Sequence, residues 1–142
     1  MSAWKERGRR DLSLDAARLV SESVPRPDAD VITFVPGDRD RGLRRGHVPA
    51  ESLAAQLSEI WELPLSRLLV RRPGIERQRD LRRADRRRNV AGAFTAVGIV
   101  PRRVCVIDDV YTTGSTVTAC ATALRREGAA QVSVVCLARA VR

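Results

Sequence analysis

One segment constrains this chain more than any other: Val104-Cys105-Val106-Ile107-Asp108-Asp109-Val110-Tyr111-Thr112-Thr113-Gly114-Ser115-Thr116-Val117. Its first four residues are apolar and mostly β-branched, the mark of a strand buried on both faces inside a parallel sheet. Two carboxylates and a hydroxyl-rich turn follow. A helix is then expected over 115–127, with Val117, Cys120, Ala121 and Leu124 inward and Gly128 as its stop. Residues 132–137 read as the next strand. Strand, helix, strand in this order requires a parallel pair with a right-handed crossover. Ligands of open α/β sheets bind beyond the carboxyl ends of the strands. There, Asp108 and Asp109 can accept hydrogen bonds from vicinal hydroxyls and lie beside a hydrated divalent cation. Thr112, Thr113, Gly114, Ser115 and Thr116 bring hydroxyls and the unpaired N–H groups of a helix start, which suit an anion. Gly114 lets the backbone approach that anion or take a positive φ. The pattern suits a sugar diol at one end and a phosphate at the other.

The rest of the chain supplies elements to pack against this unit. Leu12, Ala16, Leu19 and Val20 recur at helical spacing in 11–24, before Pro25 and Pro27. Residues 31–35 form a short buried strand that ends at the turn signal Pro36-Gly37. An arginine-rich loop leads to Gly46. A helix then starts near Pro49, with Leu53, Leu57, Ile60 and Trp61 on its apolar face. Residues 67–71 are a further strand candidate. Residues 72–95 show no clean period and are expected to be a mobile basic loop or an exposed helix outside the core. At 142 residues, the chain is expected to be one domain, 1–142, of α/β class: a Rossmann-like parallel sheet flanked by helices.

Charge is unevenly placed. The net charge is +9, and residues 67–89 hold 10 arginines against 3 acids. Such a stretch attracts phosphate-rich partners, although 25 of the 26 basic residues are arginine, so part of the run is compositional bias on a solvated surface. Three cysteines, none in a C-x-x-C pair, argue against disulfides and zinc and for a reducing, cytoplasmic setting. No apolar run is long enough to span a membrane, and no membrane partner is expected. Aromatic residues are 4% of the chain, too few for a base-stacking nucleic-acid sheet. Trp4 and Trp61 read as packing residues. The lone His47 reads as surface or packing, with no second metal ligand at suitable spacing.

The segment from Asp108 to Thr116 closely resembles the 5-phosphoribosyl-1-pyrophosphate (PRPP) signature of type I phosphoribosyltransferases. Further features resemble the ComF family: Trp4-Lys5 with Gly8-Arg9-Arg10, the strand ending at Pro36, Arg45-Gly46, Leu53-Ala54, Gln78, Leu81, Arg86, Asn89-Val90 and Ala93-Phe94. The resemblance covers nearly the whole chain. Two departures stand out: the four-cysteine zinc ribbon often found in that family is not in this sequence, and Val48-Pro49 stand where members often have Asn and Gln.

The resemblance implies the type I phosphoribosyltransferase fold and a PRPP site. Asp108 and Asp109 would hold the ribose hydroxyls and contact Mg²⁺ through water or PRPP. Thr112, Thr113, Gly114, Ser115 and Thr116 would wrap the 5′-phosphate. Pro36, Arg45 and Gly46 are candidates for the pyrophosphate loop, with Arg39, Arg41 and Arg44 nearby. Gln78, Arg86 and Asn89 are candidates for a mobile loop that closes over the ligand. The implied reaction is pentosyl transfer to an acceptor that the sequence does not name, with release of pyrophosphate. Of a different class is a non-catalytic adaptor in competence and DNA uptake, binding DNA or a helicase and keeping the PRPP site as a sensor or relic. A homodimer is left open.

Overall fold

The computed structural model describes residues 3–37, 49–72, 92–111 and 114–139. Along the chain the elements are α1 (Ala3–Ser23), β1 (Val31–Phe34), α2 (Ala50–Trp61), β2 (Leu69–Arg71), β3 (Phe94–Ala96), β4 (Arg103–Tyr111), α3 (Ser115–Arg126) and β5 (Gln131–Arg139). Strands β1, β4 and β5 form a parallel sheet in that order, with β4 central. β2 and β3 pair antiparallel as a separate two-stranded sheet.

Strand side chains alternate between faces, and this sorts the core into two layers. Ile32 and Phe34 of β1, Cys105 and Ile107 of β4 and Val135 of β5 pack with α1 and α2, around Leu53, Leu57 and Trp61. The opposite parity, Val31, Val104 and Val106, packs with Cys120 and Leu124 of α3 and with Leu69 and Phe94 of the small sheet. Leu53, Leu57, Leu69 and Leu124 are fully buried, and each such side chain contributes roughly 1.5–3 kcal/mol by leaving water.

The helices end where their chemistry stops them. Glu62 takes a left-handed φ of 54° after α2, and Leu63 N–H donates to Ser58 O at 3.1 Å, a Schellman-type close just before Pro64. After α3, Gly128 adopts φ +117°, a conformation that suits glycine. Arg125 and Arg126 occupy the last turn of α3, where cations complement the helix dipole.

Four readings of the sequence need correction. In α1 the buried positions are Ser13, Ala17 and Val20, with Ala16 partly buried; Leu12 and Leu19 are exposed. The helix extends back to Ala3 through a charged stretch that has no apolar period, so the stripe was read one position out of phase. In α2, Ile60 is exposed and Ala50 and Ala54 are buried instead. In α3, Ala121 is half-buried and Ala119 is buried. Finally, 72–95 is not wholly outside the core. Its end forms β3, and Ala93 and Phe94 are buried, because pairing with β2 gives this very short strand an apolar neighbour. Residues 73–91 lie outside the described residues.

Candidate functional site

β4 was expected to end at Ile107, with the acids beyond it. The ladder instead continues through them: Asp108 pairs with Cys136, Val110 with Ala138 and Tyr111 with Arg139. On its other side, β4 is paired only as far as Ile107, opposite Phe34, followed by a hydrogen bond from Val35 N–H to Ile107 O at 2.9 Å. Among the described residues no strand flanks 108–111 on the β1 side. β4 and its neighbour β5 thus project past β1 as a shelf, and both acids stand on it.

Alternation separates the two carboxyl groups. Asp108 shares the parity of Val104 and Val106 and points towards the α3 layer, where it is buried, 6% exposed. Asp109 has the parity of Cys105 and Ile107 and is half-buried on the α1–α2 side. The Asp109 N–H donates to Asp108 Oδ1 at 2.9 Å, which orients that carboxylate. A ligand held by both acids must therefore lie across the strand.

The thiols around Asp108 register its charge. Burial first, and the Asp108 carboxylate next, push the Cys120 thiol up to about 12, while the Arg71 guanidinium pulls the other way. Burial, then Asp108 and then Asp109, push Cys136 up to about 11. Burial also raises Cys105. All three cysteines are free. With their thiolates suppressed they are packing groups and not nucleophiles, in line with their apolar sequence contexts.

At the start of α3, Gly114 takes φ +77° as the N-cap residue, which offers no side chain to cap the helix. Ser115 and Thr116 follow, half-buried, in the first turn. The left-handed backbone here favours glycine and aims the first-turn N–H groups out of the helix. Pro36 is buried at the exit of β1, on the same edge. The structure therefore brings together Asp108, Asp109, Gly114, Ser115, Thr116 and Pro36. The other candidates, Thr112, Thr113, Arg45, Gly46, Gln78, Arg86 and Asn89, lie outside the described residues, as do His47 and the other loop arginines. Trp61 is a core residue.

The sequence reading singled out no residue of β2, yet Arg71 lies at this edge. Its Nε donates to Pro36 O at 3.1 Å, and its guanidinium carbon stands 5.0 Å from the Phe94 ring centroid. The available signal was its place directly after Leu68-Leu69-Val70, as Asp108 follows Val104 to Ile107.

Among the described residues no group of three or more His, Cys, Asp or Glu side chains could hold a metal ion. The donor set that does exist, two adjacent carboxylates, fits a divalent cation only if a ligand brings further oxygens.

Comparison with known proteins defines the class first. The chain has the type I phosphoribosyltransferase fold. It superposes on the allosteric regulatory enzyme of purine biosynthesis with a TM-score of 0.63 at 24% identity, covering 90% of this chain and 26% of that one. It matches glutamine PRPP amidotransferase from B. subtilis at 0.62 and 25%, with the same coverage, and orotate phosphoribosyltransferase from Aeropyrum pernix at 0.50 and 20%, covering 91% and 70%. No protein-family model matches. By sequence, the chain is a homologue of the ComF and YhgH proteins: it is 39% identical over 131 residues to Competence protein F of Haemophilus influenzae and 37% identical over 131 residues to DNA utilization protein YhgH of Escherichia coli O157:H7. Each alignment covers 89% of this chain but only 56% and 55% of the relative, so the chain spans little more than half the length of these proteins.

Proposed function

We propose that the carboxyl edge of the sheet binds PRPP together with Mg²⁺ and that the protein transfers the phosphoribosyl group to an acceptor nucleophile, releasing pyrophosphate. The observation that carries this reading is the shelf: Asp108 and Asp109 on a strand that outruns β1, followed by a helix start behind a left-handed glycine. Asp108 and Asp109 accept hydrogen bonds from the ribose 2- and 3-hydroxyls. The N–H groups and hydroxyls from Gly114 to Thr116 hold the 5′-phosphate, with Thr112 and Thr113 completing that loop. Mg²⁺, held by the two acids through water and by the diphosphate, would neutralise the charge that develops on the leaving group. Pinning both ends of the sugar lets the anomeric carbon be presented to the acceptor in one orientation, which lowers the entropic part of the barrier. Free, suppressed thiols suit a cytoplasmic setting. Relatives named for competence and DNA utilization support a use of this chemistry in DNA handling.

Calorimetry of PRPP binding, with and without Mg²⁺, tests the site. A pyrophosphate-release screen across nucleobases and amines tests the transfer. Saturable Mg²⁺-dependent binding is expected. Absence of PRPP binding would refute the reading, and binding without release for any acceptor would leave a sensor.

A further inference from the structure

We propose that the outer edge of β5, with the flank of α1 above it, is an interface at which the protein pairs with a second copy of itself. The bare edge is the first argument. In the sheet order β1-β4-β5, β5 is an end strand, and among the described residues no strand pairs with its outer side. It is nine residues long, and its register with β4 holds without offset from Gln131 to Arg139, so no bulge interrupts it. Gln131 to Ala138 contains neither a charge nor a proline. Monomers blunt their edge strands with such devices, because an open row of N–H and C=O groups is a template for another chain. This edge carries none of them.

The second argument is what lies above the edge. α2 packs over β1 and β4, and α1 over β5. At helical spacing, Leu12, Ala16 and Leu19 share one flank of the buried stripe of α1, while Asp11, Asp15 and Arg18 fall on its outer face. α1 runs against the strands, so the handedness of the helix turns Leu14 and Ser21 towards α2 and turns the Leu12–Leu19 flank past β5. Leu12 is 40% exposed and Leu19 60%; Val134, on the other face of β5, is 38% exposed. Three of the six large apolar side chains exposed among the described residues thus border this one edge. Such a surface, in a chain of net charge +9, suits a protein partner and not a phosphate-rich one. A second copy fits because the edge is complementary to itself. A two-fold axis through Val135, the middle of the strand, pairs all nine residues antiparallel, with Ser133 opposite the partner's Leu137 and Val134 opposite the partner's Cys136. The same axis keeps both α1 helices on one face of a continuous sheet and lays their leucine flanks together. Nine residues span about 30 Å, and a seam of that length through sheet and helix layers covers on the order of 600–800 Å² per copy, the size of a stable interface. The two carboxyl edges then open at opposite ends of the dimer, clear of the seam.

The test is sedimentation velocity on the whole chain across the micromolar range, joined to hydrogen exchange of the β5 amides. Wild type is expected to sediment at twice the chain mass, and the outward-facing amides of 131–139 to gain protection as concentration rises. Leu19→Glu on the helix flank and Val134→Lys on the strand are each expected to raise the dimer dissociation constant by at least about tenfold. Both positions are exposed, so the circular dichroism of each variant should match wild type; if one variant misfolds, the other carries the test. A wild type that stays monomeric overturns the inference, as does a dimer that neither substitution weakens. β5 amides that are protected equally at every dilution would mean that a segment of the same chain covers the edge, and would also overturn it.

Discussion

At the amino end of β4, Arg103 donates from its terminal nitrogens to Asp28 and, at 2.8 Å, to Asp30, while its backbone N–H reaches Asp30 Oδ2 at 3.1 Å. At the carboxyl end of the same strand, Asp108 and Asp109 stand on a shelf, and the nearby cation Arg71 is given to a carbonyl and a ring. One end closes its charges on each other across the β1–β4 seam and so serves the fold. The other gives its cation, Arg71, to a carbonyl and a ring, at the edge proposed above to take a ligand with hydroxyls and phosphates. Cations at the two ends of one sheet thus meet different partners, carboxylates at one and a carbonyl and a ring at the other.

Replacing both acids should show the largest effect. Asp108→Asn with Asp109→Asn is expected to lower PRPP affinity by at least about a hundredfold, since each charged hydrogen bond carries roughly 1.5–3 kcal/mol, while the fold persists by circular dichroism. Retained affinity in the double variant would erase the contrast between the two ends. Gly114→Val should come next. A β-branched residue at φ +77° bears strain of about 1–3 kcal/mol, and PRPP and ribose 5-phosphate should both weaken about tenfold because they share the 5′-phosphate. A loss confined to PRPP would mean that the helix start serves the other phosphates.

The amino end makes the opposite prediction. Arg103→Gln should lower the melting temperature and leave PRPP affinity unchanged. Its pH dependence follows from Asp30, whose carboxyl lies below its usual 3.8, chiefly because of the hydrogen bond from Arg103. A depressed carboxyl contributes stability above the unfolded value and loses it as pH falls through the folded one. The wild-type advantage over Arg103→Gln should therefore be full at neutral pH and shrink on acidification below about 4, as read by thermal melts. The smallest effect is expected from the thiols. The pKa of Cys120 is raised to about 12 and that of Cys136 to about 11. Such groups stabilise the fold below the unfolded thiol value, 9.0, and lose that contribution as pH rises above it. Native protein should thus react slowly with a disulfide reagent near neutral pH, Cys136 before Cys120, and rapidly once unfolded.

The parallel unit around β4 was legible because it carries its own evidence: a doubly buried strand, an amphipathic helix with a glycine stop and a returning strand, all within 104–137. The acids and Gly114 were legible for the same reason. What escaped depends on partners remote in sequence. β3 is three residues long and becomes a strand only against β2. The burial of Ser13 follows from how α1 packs, and no hydropathy pattern announces it. Arg71 is one arginine among 25, and only the β1 register lifts it to the edge.

That register also dictates a sequence of events. β4 meets β5 through a local crossover, but the seam with β1 joins residues as far apart as Asp30 and Arg103, 73 positions along the chain. Closing so long a loop is entropically slow, so assembly begins with the short-range pairing. The β4–α3–β5 unit is thereby the natural folding nucleus, with α1 and β1 docking after the transition state. Destabilising substitutions at Val106 or Leu124 should slow folding, and those at Ala17 or Ile32 should mainly hasten unfolding. The acids and the helix start proposed to hold sugar and 5′-phosphate would then be in place before the β1 side of the edge.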